Sequence, residues 1–221
     1  MTFFEELQSR TTAGRHALLG IPIIQDAVQG RIALHQYVAF LAQAYHHVRH
    51  TAPLLMACGS RLPRRLAWLR DATAQYIDEE IGHDEWILSD IAACGADAEA
   101  VRNGKPALET EVMVAYAYHQ IDRGNPVAFF GMVHVLEGTS TAIATAAAEG
   151  MRAALGLPPA AFTYLTSHGS IDTEHVTFFE NLVNRLDDPR DREAIVDCAT
   201  AMYRLYGDIF RALPGPEASG A

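Results

Sequence analysis

Lysine is nearly missing from this sequence: of 17 Lys and Arg residues, Lys105 is the one lysine. Against 27 Asp and Glu the basic residues leave a net charge of −10. The average field therefore repels a phosphate backbone, and no nucleic-acid partner is expected. The cluster Arg61, Arg64, Arg65 and Arg70 has the spacing of a solvated helix face. Cysteine is scarce as well. Cys58, Cys94 and Cys198 are odd in number and far apart, which excludes a disulfide framework, a zinc knuckle and a CxxC redox pair, and predicts reduced, buried thiols. No apolar run approaches the length of a membrane span without a charge, so no membrane contact is expected. The opening Met1-Thr2-Phe3-Phe4-Glu5-Glu6 lacks the basic and apolar regions of a secretory signal, and a cytoplasmic location is expected.

Strand signals are missing too: there is no sustained period-two alternation, no Asn-Gly hairpin turn, no internal repeat and no glycine-rich phosphate loop. What remains is helix. The 221 residues, 49% hydrophobic and 20% charged, suit one globular domain that buries roughly 70% of its unfolded surface. Helical periodicity predicts segments over 3–18, 21–29, 33–57, 63–94, 106–123, 126–149, 159–185 and 189–212. Thr2 reads as the first N-cap, Pro53 as a kink near the end of the third helix, and Gly169 as a break in the seventh. The fold class is all-α, a bundle of seven or eight helices forming a single domain over 1–213, with 214–221 as a disordered tail.

Three segments put ligand-type side chains on faces that should be apolar. In the first, Asp78-Glu79-Glu80-Ile81-Gly82-His83, Glu80 and His83 are three apart and share a helix face, with Glu79 as an alternative carboxylate. The spacing alone fits a solvated acidic face better than a metal site. In the second, His134-Val135-Leu136-Glu137-Gly138 follows the apolar run Phe129-Phe130-Gly131-Met132-Val133. A carboxylate there has to be paired, protonated or bound to a cation, while His134 reads as a core histidine. In the third, His168, Asp172 and His175 stand at i, i+4 and i+7 on one stripe, with Val176, Phe178 and Phe179 following at once; metal binding explains this stripe better than surface decoration does.

Three carboxylates and three histidines are too many donors for a catalytic zinc, which usually takes three protein ligands. They suit two irons in a carboxylate–histidine site, or a single iron on the third segment alone.

The stretches Glu79 to Trp86, His134 to Gly138 and His168-x-x-x-Asp172-x-x-His175, with Gln36 to Leu41 and Tyr45 to Arg49, resemble the heme-oxygenase-like diiron oxidases and oxygenases. The likeness covers about residues 5–210. It implies a heme-oxygenase-like helical bundle holding two Fe²⁺ per chain, with O₂ as co-substrate and manganese as an ion of compatible ligand type. Carried over position by position, it makes Glu80, His83, Glu137, His168, Asp172 and His175 the metal ligands. The implied activity is oxidation of a small organic substrate (an amino acid, an amine or a fatty-acid-like molecule) by desaturation, C–C cleavage or N-oxygenation.

The same fold hosts thiaminase-II-like hydrolases, the cofactor-free oxidase of pyrroloquinoline-quinone synthesis and heme-degrading enzymes, so fold alone does not decide the chemistry. A thiaminase needs a nucleophilic cysteine beside a carboxylate, and none of the three cysteines has such a signature. A heme oxygenase would use an N-terminal histidine, for which His16 is placed, but has no need of the third segment. A binding protein that has lost redox chemistry has no need of all six donors. His46, His47 and His50 read as supporting residues. The expected partner is a small molecule, and a homodimer is compatible with a bundle of this size.

Overall fold

The structure is a computed structural model that describes residues 1–216, except for the side chains of residues 168–174. Eleven α-helices occur among the described residues: α1 (Phe3–Leu19), α2 (Pro22–Val28), α3 (Leu34–Val48), α4 (Thr51–Arg61), α5 (Ala67–Glu80), α6 (His83–Ala93), α7 (Ala98–Asn103), α8 (Leu108–Arg123), α9 (Phe129–Leu155), α10 (Thr163–Val183) and α11 (Pro189–Ala212). Short 3₁₀ turns precede α5, α9 and α10. No strand occurs among the described residues.

Local chemistry sets these boundaries. Thr2 and Glu5 form a reciprocal cap on α1: Glu5 N–H donates to Thr2 Oγ1 at 3.2 Å and Thr2 N–H donates to the Glu5 carboxylate at 2.8 Å. The helix expected over 33–57 is two helices, and the break falls at Arg49–His50 rather than at Pro53. Pro53 has no N–H for the Arg49 carbonyl and crowds it, so the disturbance appears one turn upstream and α4 continues to Arg61. The helix expected over 63–94 is likewise divided, because Gly82 takes φ +91, a left-handed conformation that no α-helix can contain. Gly169, expected as a break, lies within the continuous α10; a lone interior glycine weakens a helix by about 1 kcal/mol without ending it. α9 runs past the expected 149 to Leu155 and stops at Gly156, φ +64. The short α7, which periodicity over so few residues does not reveal, is capped by Asp97.

α9 is the axis of the molecule, packed against α10, α11 and α2, while α1 pairs with α11, α3 with α6 and α4 with α5. By length and composition Pro126–Leu155 could cross a membrane, but it is the mostly buried central helix. Gly131 lets α9 approach α11: a Cβ there would stand 2.5 Å from the Ile195 carbonyl oxygen and 2.6 Å from the Ala199 nitrogen. Two apolar clusters flank the midpoint of α9. One joins Leu7, Leu54, Phe130, Phe179 and Met202; the other joins Tyr37, Leu41, Ile87, Ala144 and Phe162.

Two buried carboxylates are structural. Asp90 on α6 accepts from the Thr163 and Tyr164 amides at 3.0 and 2.8 Å, satisfying the first turn of α10 and fixing its start. Asp191 accepts from Arg65 Nη2 at 2.9 Å and Asn125 Nδ2 at 2.8 Å, tying three segments together. Beyond α11, the Pro214 and Gly215 carbonyls lie on Gln36 Nε2 at 3.0 Å and His35 Nε2 at 3.1 Å, so the segment expected to be disordered from 214 is held against α3 at its start. Residues 217–221 lie outside the described residues.

Candidate metal centre

Four of the six donor residues expected from the sequence meet where α5, α6, α9 and α10 converge. Glu80 and His83 do not share a helix, as their spacing predicts, because the turn at Gly82 intervenes. That turn reverses direction tightly enough to leave His83 Nδ1 3.2 Å from Glu80 Oε2. His175 on α10 faces carboxylates through both ring nitrogens: Nε2 lies 3.1 Å from Glu79 Oε2, and Nδ1 lies 3.8 Å from Glu80 Oε1 and 3.6 Å from Glu137 Oε1. His168 and Asp172 belong to α10 upstream of His175, but their side chains lie outside the described residues.

Burial separates the two adjacent glutamates. Glu80 and Glu137 are 11% and 12% exposed and the two histidines 6%, whereas Glu79 is 36% exposed and accepts from Gln75 Nε2 at 3.0 Å. Glu79 is therefore a rim residue that reaches His175 from outside. Tyr76, which the sequence reading did not single out, is part of the same group. It stands four before Glu80 on α5, and that i, i+4 spacing was the available signal. Its ring meets His175 edge-on at 5.8 Å. Burial, then the Glu137, Glu80 and Glu79 carboxylates, push its pKa well up, so the phenol keeps its proton. His83 is held by stacking on Trp86 at 4.0 Å.

The donor set fits a divalent cation. Glu80 and Glu137 are withdrawn from water, and the His83 and His175 imidazoles lie within ion-pair distance of them. A buried carboxylate needs a compensating charge or a proton, and neighbouring imidazoles with carboxylates are the donors that iron or manganese takes. The separations of 3.1 to 3.8 Å are close to the edge of a coordination shell with bonds of roughly 2.0–2.2 Å. Among the described residues no three donors close on one point as a finished shell.

Glu80, Glu137 and Tyr76 line a cavity of about 90 Å³ together with Leu54, Leu55, Phe129 and Met132. A second apolar cavity of about 80 Å³ extends from it toward α2 and α3, sharing Ser140, Tyr164 and Tyr206. His47 also lines the first cavity, edge-on to Tyr206 at 5.8 Å. His46 is buried against Tyr45 and its pKa is lowered by burial. His50 Nδ1 lies 3.3 Å from the Tyr118 hydroxyl, and His16 is exposed at the end of α1. All three cysteines are buried and free. Burial pushes Cys58 and Cys198 up to about 12 and Cys94 to about 11, so none is poised as a thiolate nucleophile.

The iron-containing redox enzyme family matches residues 38–207, a stretch that includes all six expected donors. The chain belongs to that family. Its fold is the heme-oxygenase-like one. A domain of unknown function with this fold from Shewanella denitrificans is 24% identical, with a TM-score of 0.84 over 96% of this chain and 92% of that one. Heme oxygenase-1 from the cyanobacterium Synechocystis, in complex with heme, gives a TM-score of 0.77 at 12% identity over 97% and 93% of the two chains. A TenA homolog from Pseudomonas syringae gives 0.78 at 11% identity over 95% and 91%. Comparison with curated protein sequences gives no match.

Proposed function

We propose that this member of the iron-containing redox enzyme family is an O₂-dependent non-heme diiron oxidase or oxygenase acting on a small organic molecule. The observation that carries the reading is that two buried carboxylates, Glu80 and Glu137, lie within 3.2 to 3.8 Å of the His83 and His175 imidazoles and line one cavity. Glu80, His83, Glu137, His168, Asp172 and His175 would hold two Fe²⁺, with manganese acceptable to the same donors. Iron bound there supplies the electrons and the open coordination positions needed to activate O₂.

The chain's own residues do the remaining work. Glu79 accepts from His175 at the rim and orients its ring. Trp86 fixes the plane of His83, and the carboxylate of Glu80 fixes its position, as supporting partners of metal-bound histidines do. The protonated Tyr76 phenol faces Glu137 with a proton available for hydrogen bonding. Leu54, Leu55, Phe129 and Met132 exclude water from the substrate side, which strengthens every polar interaction inside. Partner chemistry in this reading is confined to a small molecule, with no role for nucleic acid or membrane, and a second copy of the chain is compatible with it.

The test is oxygen consumption by protein reconstituted with Fe²⁺, screened against carboxylic acids, amino acids and amines, with product mass measured for loss of two hydrogens, gain of oxygen or loss of carbon. Substrate-dependent O₂ uptake that disappears in His175→Ala is the expected result. Iron-loaded protein that consumes no O₂ with any class of substrate would count against the reading.

A further inference from the structure

A third cavity, of about 200 Å³, lies against a different face of α9, between α1, α10 and α11. The function proposed above makes no use of it beyond the shared Glu137, which also borders the first cavity. Phe4, Gln8 and Arg15 reach it from α1 at i, i+4 and i+11, one stripe of that helix.

Three of its polar side chains, Arg15, Gln8 and His134, have donors without a partner among the described residues. Arg15 is half-buried and makes no ion pair among the described residues, whereas Arg10, one turn earlier, forms two hydrogen bonds with Glu193 at 2.7 and 2.8 Å. The Gln8 side-chain amide makes no hydrogen bond among the described residues. His134 is 7% exposed, and its Nε2 is buried without a hydrogen-bond partner. A buried polar atom left unpaired is destabilising, so the site is built for something that completes it. The His134 ring is boxed by Phe179, stacked at 5.8 Å, and by Phe4 and Tyr203 edge-on at 6.1 and 6.3 Å, which fixes where Nε2 points. Gly138 adds a fourth observation: a Cβ there would meet nothing within 4 Å. Alanine would favour the helix, yet glycine leaves that space open to the cavity.

We propose that this cavity binds a small organic monocarboxylic acid, its carboxylate held by Arg15, Gln8 and His134 Nε2 and its apolar body lying on Phe4, Phe179 and Val176 toward Glu137. The guanidinium matches a carboxylate with two parallel N–H donors. A neutral imidazole supplies one further donor in the appropriate tautomer, and burial together with Arg15 keeps His134 neutral. The Glu137 carboxylate orients the ligand by repelling its anionic end toward Arg15. An amine of the same size would meet Arg15 as a like charge. That the acid is the substrate rests on the iron-centred reading; that it binds does not.

The test uses the metal-free full chain and isothermal titration calorimetry, with hexanoate as probe and hexanamide and hexylamine as matched controls. Hexanoate is expected to bind at least tenfold more tightly than either. Arg15→Gln should lower hexanoate affinity at least tenfold and bring it to the level of hexanamide, while Arg64→Gln, at an exposed arginine, should leave it unchanged. Gly138→Leu keeps the guanidinium and fills the space, so it should abolish binding while circular dichroism and thermal unfolding stay cooperative. Failure of hexanoate to bind, equal affinity for hexanamide, or full affinity in Arg15→Gln would overturn the proposal. Hexanoate binding in a chain that takes up no iron would remove the iron-centred reading alone, and iron uptake without hexanoate binding would remove this site alone.

Discussion

His134 gives the fold a pH dependence that can be calculated. Its ring is buried in the aromatic box of Phe4, Phe179 and Tyr203, and burial first, then Arg15, lower its pKa from 6.5 to about 4. The unfolded chain titrates this histidine near the ordinary value, so as pH falls below 6.5 the unfolded state takes up a proton that the folded state refuses. The stability contributed by neutral His134 is therefore complete above about pH 7, declines as pH falls toward 4, and levels off below that. Each unit between the two values is worth about 1.36 kcal/mol, so the full loss approaches about 3 kcal/mol, of which about 2 falls between pH 7 and pH 5. The assay is urea unfolding of the metal-free protein and of His134→Phe at several pH values over that range. Phenylalanine keeps the ring contacts and cannot titrate, and protonation of every other group cancels in the difference between the two proteins. Wild type should lose about 2 kcal/mol more than the variant between pH 7 and pH 5. Parallel stability curves would refute the claim that the ring is held neutral by burial.

Gly82→Ala should cost about 1–2 kcal/mol of unfolding free energy, since alanine resists the φ of +91 between α5 and α6, and it should weaken Fe²⁺ affinity by disturbing the reversal that brings Glu80 to His83; unchanged affinity would show that the reversal does not matter. Gly131→Ala should cost about 1–3 kcal/mol or more in denaturant titrations, because its Cβ would meet the backbone of α11 at Ile195 and Ala199. Asp90→Ala should cost about 2 kcal/mol by leaving the Thr163 and Tyr164 amides without their acceptor, with faster hydrogen exchange confined to the first turn of α10 as the local signature.

The class of fold was legible because helical periodicity is a long-range pattern: α1, α8 and α11 lie within a residue or two of where their apolar stripes end. The interruptions were harder. Pro53 was visible, but the break it causes falls at Arg49, where the missing donor is felt, and Gly82 looked like any glycine until its φ placed a turn inside the expected helix 63–94. In the site, Glu137 stood out because its flanks are apolar, and His175 because Val176, Phe178 and Phe179 follow it. Tyr76 was less legible. A tyrosine on an amphipathic helix reads as core, and only the packing of α5 against α10 brings its ring to His175. The polar lining of the third cavity was not legible at all, since Gln8 and Arg15 on α1 meet His134 on α9 only through the tertiary fold.

The central claim, that Glu80, His83, Glu137 and His175 belong to an iron site completed by His168 and Asp172, is tested most directly by anaerobic calorimetric titration of the metal-free chain with Fe²⁺. The account predicts about two ions bound per chain, with the loss of at least one in His175→Ala while the variant remains folded. No binding by the wild-type chain, or undiminished binding in His175→Ala, would contradict it.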